Sequence, residues 1–111
     1  MEIEVKTEGE IHVVSMSGSL DTDTSPGADQ RLTALFDQEA KHIVVDLSQV
    51  EYVSSAGLRV FLAASKKMRV VSGKLGLCGL NETVQEVFEI SGFATILNVF
   101  DTLEQALASA D

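Results

Sequence analysis

A chain of 111 residues with 45% hydrophobic content is the size of one domain and can bury roughly two-thirds of its extended surface, so one core forms without metal or disulfide staples. Seventeen acidic against eight basic residues give a formal charge of -9, which repels nucleic-acid phosphates and disfavours direct DNA binding while speeding encounter with a basic protein. One cysteine, no apolar run near the ~18 residues of a membrane span and no basic-then-apolar start make a reducing cytoplasm the expected location.

Ile3 and Val5 alternate with Glu4 and Lys6, and a second β-branched run from Ile11 to Met16 follows the turn-like Glu8-Gly9-Glu10. An antiparallel pair of opening strands is expected, the second stopped by Gly18. Pro26 suits the first turn of a helix to about Gln38 with Ser25 as N-cap, and Leu32, Leu35 and Phe36 fall at helical spacing. Ile43-Val44-Val45-Asp46-Leu47 reads as a central strand buried on both faces. A second helix, from about Ala56 to about Arg69, turns Leu58, Phe61, Leu62, Ser65 and Met68 inward. Lys74 to Gly79 is a further strand, in which Cys78 is a small hydrophobe. Asn81 caps a third helix with Val84, Val87 and Phe88 inward, ended by Ser91-Gly92. Ile96 to Val99 gives a fifth strand, and Asp101 with Glu104 has capping-box spacing before the stripe Leu103, Ala106, Leu107 and Ala110.

This order predicts an α/β fold with about four helices and a five-stranded, mainly parallel mixed sheet, joined by right-handed crossovers and carrying one antiparallel edge. No linker, internal repeat or low-complexity tract divides the chain, so a single domain over residues 1–111 is expected.

Functional loops of an open α/β sheet gather at the carboxyl ends of the strands, which directs attention to the segment between Leu47 and Leu58. It reads Asp46-Leu47-Ser48-Gln49-Val50-Glu51-Tyr52-Val53-Ser54-Ser55-Ala56-Gly57-Leu58. Ser55 stands where an N-cap stands, and a phosphate on it would lie at the positive end of a helix dipole without unfolding the helix. Gly57 lacks a side chain either to leave the approach to Ser55 open or to pack closely on the first helix. Arg59 points outward, to a partner or to solvent.

The same segment is similar to the signature of the STAS domain family of sulfate-transporter tails and anti-sigma-factor antagonists: an Asp-Leu-Ser opening, a Val, an aromatic, then Asp-Ser-Ser or Asp-Ser-Ala, Gly and Leu. Gly18-Ser19-Leu20-Asp21 resembles the family's Gly-x-Leu/Ile-Asp at the end of the second strand, and the element order agrees throughout. The position before the acceptor serine, most often Asp in the family, is Ser54, so two hydroxyls stand side by side. The resemblance implies an anti-sigma-factor antagonist with Ser55 as phosphoacceptor. Its partners would be an anti-sigma factor of the serine-kinase type and a serine phosphatase, met through Asp21, Thr22, Asp23, Thr24, Ser54, Ala56, Gly57 and Arg59. A constitutive STAS subunit of a transporter or larger regulatory assembly is the alternative.

Other chemistries find little support. The Gly-x-Ser-x-Gly elbow of serine hydrolases is absent, and His12 and His42, within and at the start of strands, are expected at the opposite edge from Ser55. No nucleotide-phosphate loop or His/Cys cluster at metal spacing occurs, so no cofactor, metal site or enzymatic activity is expected. Asp46 at a buried strand end and Asp21 and Asp23 in a flexible loop fit turn chemistry and helix entry better than metal binding.

Overall fold

The computed structural model describes residues 1–108. Its sheet consists of β1 (Glu2–Glu8), β2 (Ile11–Leu20), β3 (His42–Val53), β4 (Lys74–Cys78) and β5 (Asn98–Phe100), hydrogen-bonded in that order. β1 runs antiparallel to β2, and the remaining pairs are parallel. The α/β architecture is the one expected. Between the strands lie α1 (Ser25–Asp37), α2 (Ser55–Val70), α3 (Glu82–Ser91) and the single turn α4 (Phe93–Ile96), and α5 (Leu103–Ala108) follows β5. The count exceeds the expected four by α4. Ala110 lies outside the described residues.

Leu32 and Leu35 of α1, Leu58, Phe61 and Met68 of α2, and Val84 and Phe88 of α3 share one core with Val14, Met16, Ile43, Val45 and Leu77 of the sheet. Ile11, Val13, Val44 and Cys78 point the other way, onto Ala106 of α5 with Leu103 and Leu107 beside it. All three strand-to-strand crossovers therefore cover one face, as happens when each moves the chain one strand along with the same hand. With no reversal in strand order, no crevice opens between helices on opposite faces, and the carboxyl ends of β2 and β3 form an outward surface.

Several boundaries differ from the expected ones. Gly18 does not stop β2. It adopts φ +103° where pairing with β1 ends, and pairing with β3 continues to Leu20 opposite Val53. β3 runs six residues past Leu47, because two register shifts against β2 let Ser48 and Gln49, and then Glu51 and Tyr52, face solvent consecutively. These bulges erase the alternation by which a strand is read.

Ser25 is not the N-cap of α1. Its amide and hydroxyl both donate to the Asp21 carbonyl, inside the first turn, and Thr24 is the cap residue. On α2, Val60 is buried and Leu62 only half-buried, since α2 also packs against α1 and its buried stripe is rotated toward that helix. The turn α4 consumes Ile96 and moves β5 to Asn98. The cap of α5 is Thr102, whose hydroxyl accepts from the Gln105 amide at 3.2 Å, while Gln105 takes the reciprocal role from Glu104 by accepting from the Asp101 amide at 3.1 Å. Asn81 caps α3 as expected, its side-chain oxygen accepting from the Val84 amide at 2.8 Å, and Gly92 ends the helix at φ +80°.

Candidate functional site

The loop after β2 and the start of α2 meet at one hydrogen bond: the Ser54 amide donates to the Leu20 carbonyl at 2.8 Å. This bond joins the carboxyl ends of β2 and β3 and fixes where α2 begins. Ser54 is extended, and its Oγ accepts from the Gly57 amide at 3.4 Å. The N-cap is therefore Ser54, not Ser55, because the bond to Leu20 holds residue 54 in the extended conformation a cap requires. Ser55 becomes the first residue of the helix. It is exposed, and its hydroxyl has no hydrogen-bond partner among the described residues.

The residues from Asp21 to Thr24 form a hydrogen-bonded turn, not a flexible loop. The Asp21 carboxylate accepts from the Asp23 amide at 3.0 Å and the Thr24 amide at 3.1 Å. The Thr24 hydroxyl accepts from the Asp21 amide at 2.9 Å and donates to the Ser19 carbonyl at 2.8 Å. Donation from the Thr24 backbone, aided by Asp23, holds the Asp21 carboxyl below its ordinary pKa, so it remains ionised through mild acid. Asp46 is equally local in its bonding, accepting from the Ser48 amide at 3.0 Å. Turn formation thus accounts for the carboxylates of Asp21 and Asp46, and Thr22 and Asp23 are left on the outer rim of the turn.

Gly57 is buried. A β-carbon there would lie 2.8 Å from both Cγ and Cδ2 of Leu20 and 3.0 Å from the Leu20 carbonyl oxygen. Close packing does require glycine, but against the end of β2 and not against α1. Gly57→Ala is expected to destabilise the fold by about 1–2 kcal/mol despite alanine's better helix propensity, because Leu20 is itself fully buried and has little room to move. Denaturant melts of the two proteins measure this, and an unchanged or higher midpoint would show that the junction is looser than drawn.

Arg59 is exposed on the outer side of α2, one helical turn beyond Ser55. With Ala56, Val60 and Ala63 of α2, Thr22 of the turn, and Pro26 and Asp29 of α1, it surrounds an open groove of about 410 Å³. The sequence-derived residues are thus brought to one end of the molecule, with Gly57 beneath the surface. Pro26, Asp29, Val60 and Ala63 were not among them. Their helical spacing with inward residues is ordinary, and only the approach of α1 to α2 shows that they border the same groove. Tyr52, also missed, is 47% exposed beside this end of the sheet because of the second bulge in β3.

His42 is buried at the first residue of β3, whose other end leads to Ser55, and burial with the Lys74 charge lowers its pKa. Cys78 donates to the Val45 carbonyl, and burial pushes its thiol up to about 12, which leaves it unreactive at neutral pH. Among the described residues no group of His, Cys, Asp or Glu could hold a metal ion, and no helix is long and apolar enough to cross a membrane.

An outward end built from a β2 turn, a single-residue connection and a serine at the first position of α2 defines a domain whose recognisable site is a surface. The chain belongs to the STAS domain family, whose model matches residues 2–106. It is 39% identical over 97 residues to BtrV of Bordetella bronchiseptica, whose name marks it as a candidate anti-sigma factor antagonist, covering 87% of this chain and 84% of that protein. It is 32% identical over 98 residues to the anti-sigma-B factor antagonist of Listeria monocytogenes, covering 87% and 86%. The crystal structure of an anti-sigma factor antagonist from Mycobacterium paratuberculosis superposes with a TM-score of 0.90 at 27% identity, covering 97% of this chain and 92% of that one.

Proposed function

We propose that this chain is an anti-sigma-factor antagonist whose binding is switched off by phosphorylation of Ser55. The observation that carries the choice of residue is the unequal use of two neighbouring hydroxyls. Ser54 is engaged as the cap of α2, whereas Ser55 is exposed and unbonded among the described residues, so its Oγ is free to act as a nucleophile. The names of the Bordetella and Listeria relatives support the antagonist role.

In this reading the unmodified protein binds an anti-sigma factor of the serine-kinase type in the cytoplasm and so frees a sigma factor. Asp21, Thr22, Asp23 and Thr24 would meet the partner together with Ser54, Ser55, Ala56 and Arg59, and Gly57 serves by letting α2 lie against Leu20. The kinase transfers the γ-phosphoryl group of ATP to Ser55 Oγ; the hydroxyl proton passes to a base on the kinase and ADP leaves. A serine phosphatase returns the hydroxyl by hydrolysis. The protein itself acts as a binding surface and not as a catalyst.

A phosphate at the first position of a helix adds charge of about -1.5 to -2 where the dipole favours it, so the fold is retained. Incubation of the parent, Ser54→Ala and Ser55→Ala proteins with candidate kinase and ATP, followed by intact mass and site mapping, tests the reading. One phosphate is expected on the first two and none on the third. Phosphate mapped to Ser54 overturns the choice of residue, and constitutive partner binding with no phosphate on any variant indicates a structural subunit instead.

A further inference from the structure

Arg59 has no hydrogen bond or ion pair among the described residues, although Asp29 borders the same groove. It follows Ser55 by four residues on α2, the spacing at which helical side chains face one another. Cα–Cβ bonds in a helix lean toward its N-terminus, which puts the turn that carries Ser55 and Ala56 within reach of a side chain at position 59. Arg59 shares a groove with Thr22 and with Ala56, the residue that follows Ser55 in the first turn of α2. An arginine so placed and without a partner among the described residues offers a planar fork that matches two phosphate oxygens.

We propose that Arg59 is the intramolecular receptor for a phosphate on Ser55; the proposal rests on Ser55 being the acceptor. Phosphorylation then does two things to the docking surface. It adds negative charge at the start of α2, and it draws in a cation that the unmodified protein holds out for a partner carboxylate. The same serine phosphate without Arg59 would change the surface by its own charge alone. Asp29 lines the groove, and Asp21 and Asp23 belong to the turn that carries Thr22 to it; all three carboxylates act against the phosphate dianion. Their effect is common to all variants at position 59.

The test places phosphoserine at position 55 of the full chain by genetic encoding, so no kinase is needed, and follows the phosphorus NMR shift against pH. An arginine bonded to the phosphate stabilises its dianion. The second phosphate ionisation should therefore lie about 0.2–0.4 pH units higher in Arg59→Gln than in the parent, with Arg59→Lys between them. The difference should shrink at about 0.5 M salt, where exposed charges are screened. Thermal midpoints of the unphosphorylated variants should match the parent, since Arg59 is exposed and unbonded. Equal titration in parent and Arg59→Gln overturns the proposal. That result would leave the choice of Ser55 standing, because kinase mapping decides it separately.

Discussion

Phosphorylation of Ser55 is expected to weaken binding to the anti-sigma factor by about a hundredfold or more, a loss of roughly 3 kcal/mol or greater. A group with about two negative charges would sit at the centre of the docking surface, where a fitted partner must desolvate it or withdraw. Ser55→Asp should reproduce part of the effect, having less charge and fewer oxygens, and Ser55→Ala should bind like the parent. Stability should hardly respond. Because the Ser55 hydroxyl caps nothing, Ser55→Ala should melt with the parent, whereas Ser54→Ala loses the bond to the Gly57 amide and about 0.5–1 kcal/mol. Calorimetric titration of the purified phosphoprotein beside thermal melts separates the two quantities. Phosphoprotein that binds as tightly as unmodified protein would remove the switch.

Replacing Phe61 by alanine should cost about 3–5 kcal/mol, a large share of the 5–15 kcal/mol that keeps a domain folded, and should lower the thermal midpoint by about 15–30 °C. Phe61 is fully buried, with its ring centroid 6.3 Å from that of Phe88, so it ties α2 and α3 into one core above the sheet. The loss combines removed apolar surface with a cavity that the close-packed neighbours cannot fill. Leu62→Ala is the informative companion. Leu62 is only half-buried and should cost under about 1.5 kcal/mol, although helical spacing alone ranks it with Phe61. Denaturant midpoints measure both, and similar losses at the two positions would mean that α2 is rotated from the orientation described.

Much of the fold was legible because local physics determines it. The β-branched run at Ile43 to Leu47, the 3.6-residue stripes of α1 and α3, Asn81 as a cap and Gly92 as a left-handed stop each act within a few residues, and each was read correctly. The segment around Ser55 was legible for a different reason, its similarity to a family pattern over one short stretch. What sequence reading missed depends on contacts between distant elements. Register against β2 creates the bulges that lengthen β3 and expose Tyr52, and a lone strand cannot reveal them. The approach of α1 exchanges Val60 for Leu62 and brings Pro26 and Asp29 to the groove. The Leu20 carbonyl, 34 residues before Ser54, selects which of two adjacent serines caps α2 and leaves the other free. Sequence by itself therefore determined every element but α4, their order and the serine pair, through propensity and periodicity. Tertiary structure decided the division of labour within that pair, because the deciding hydrogen bond comes from another strand.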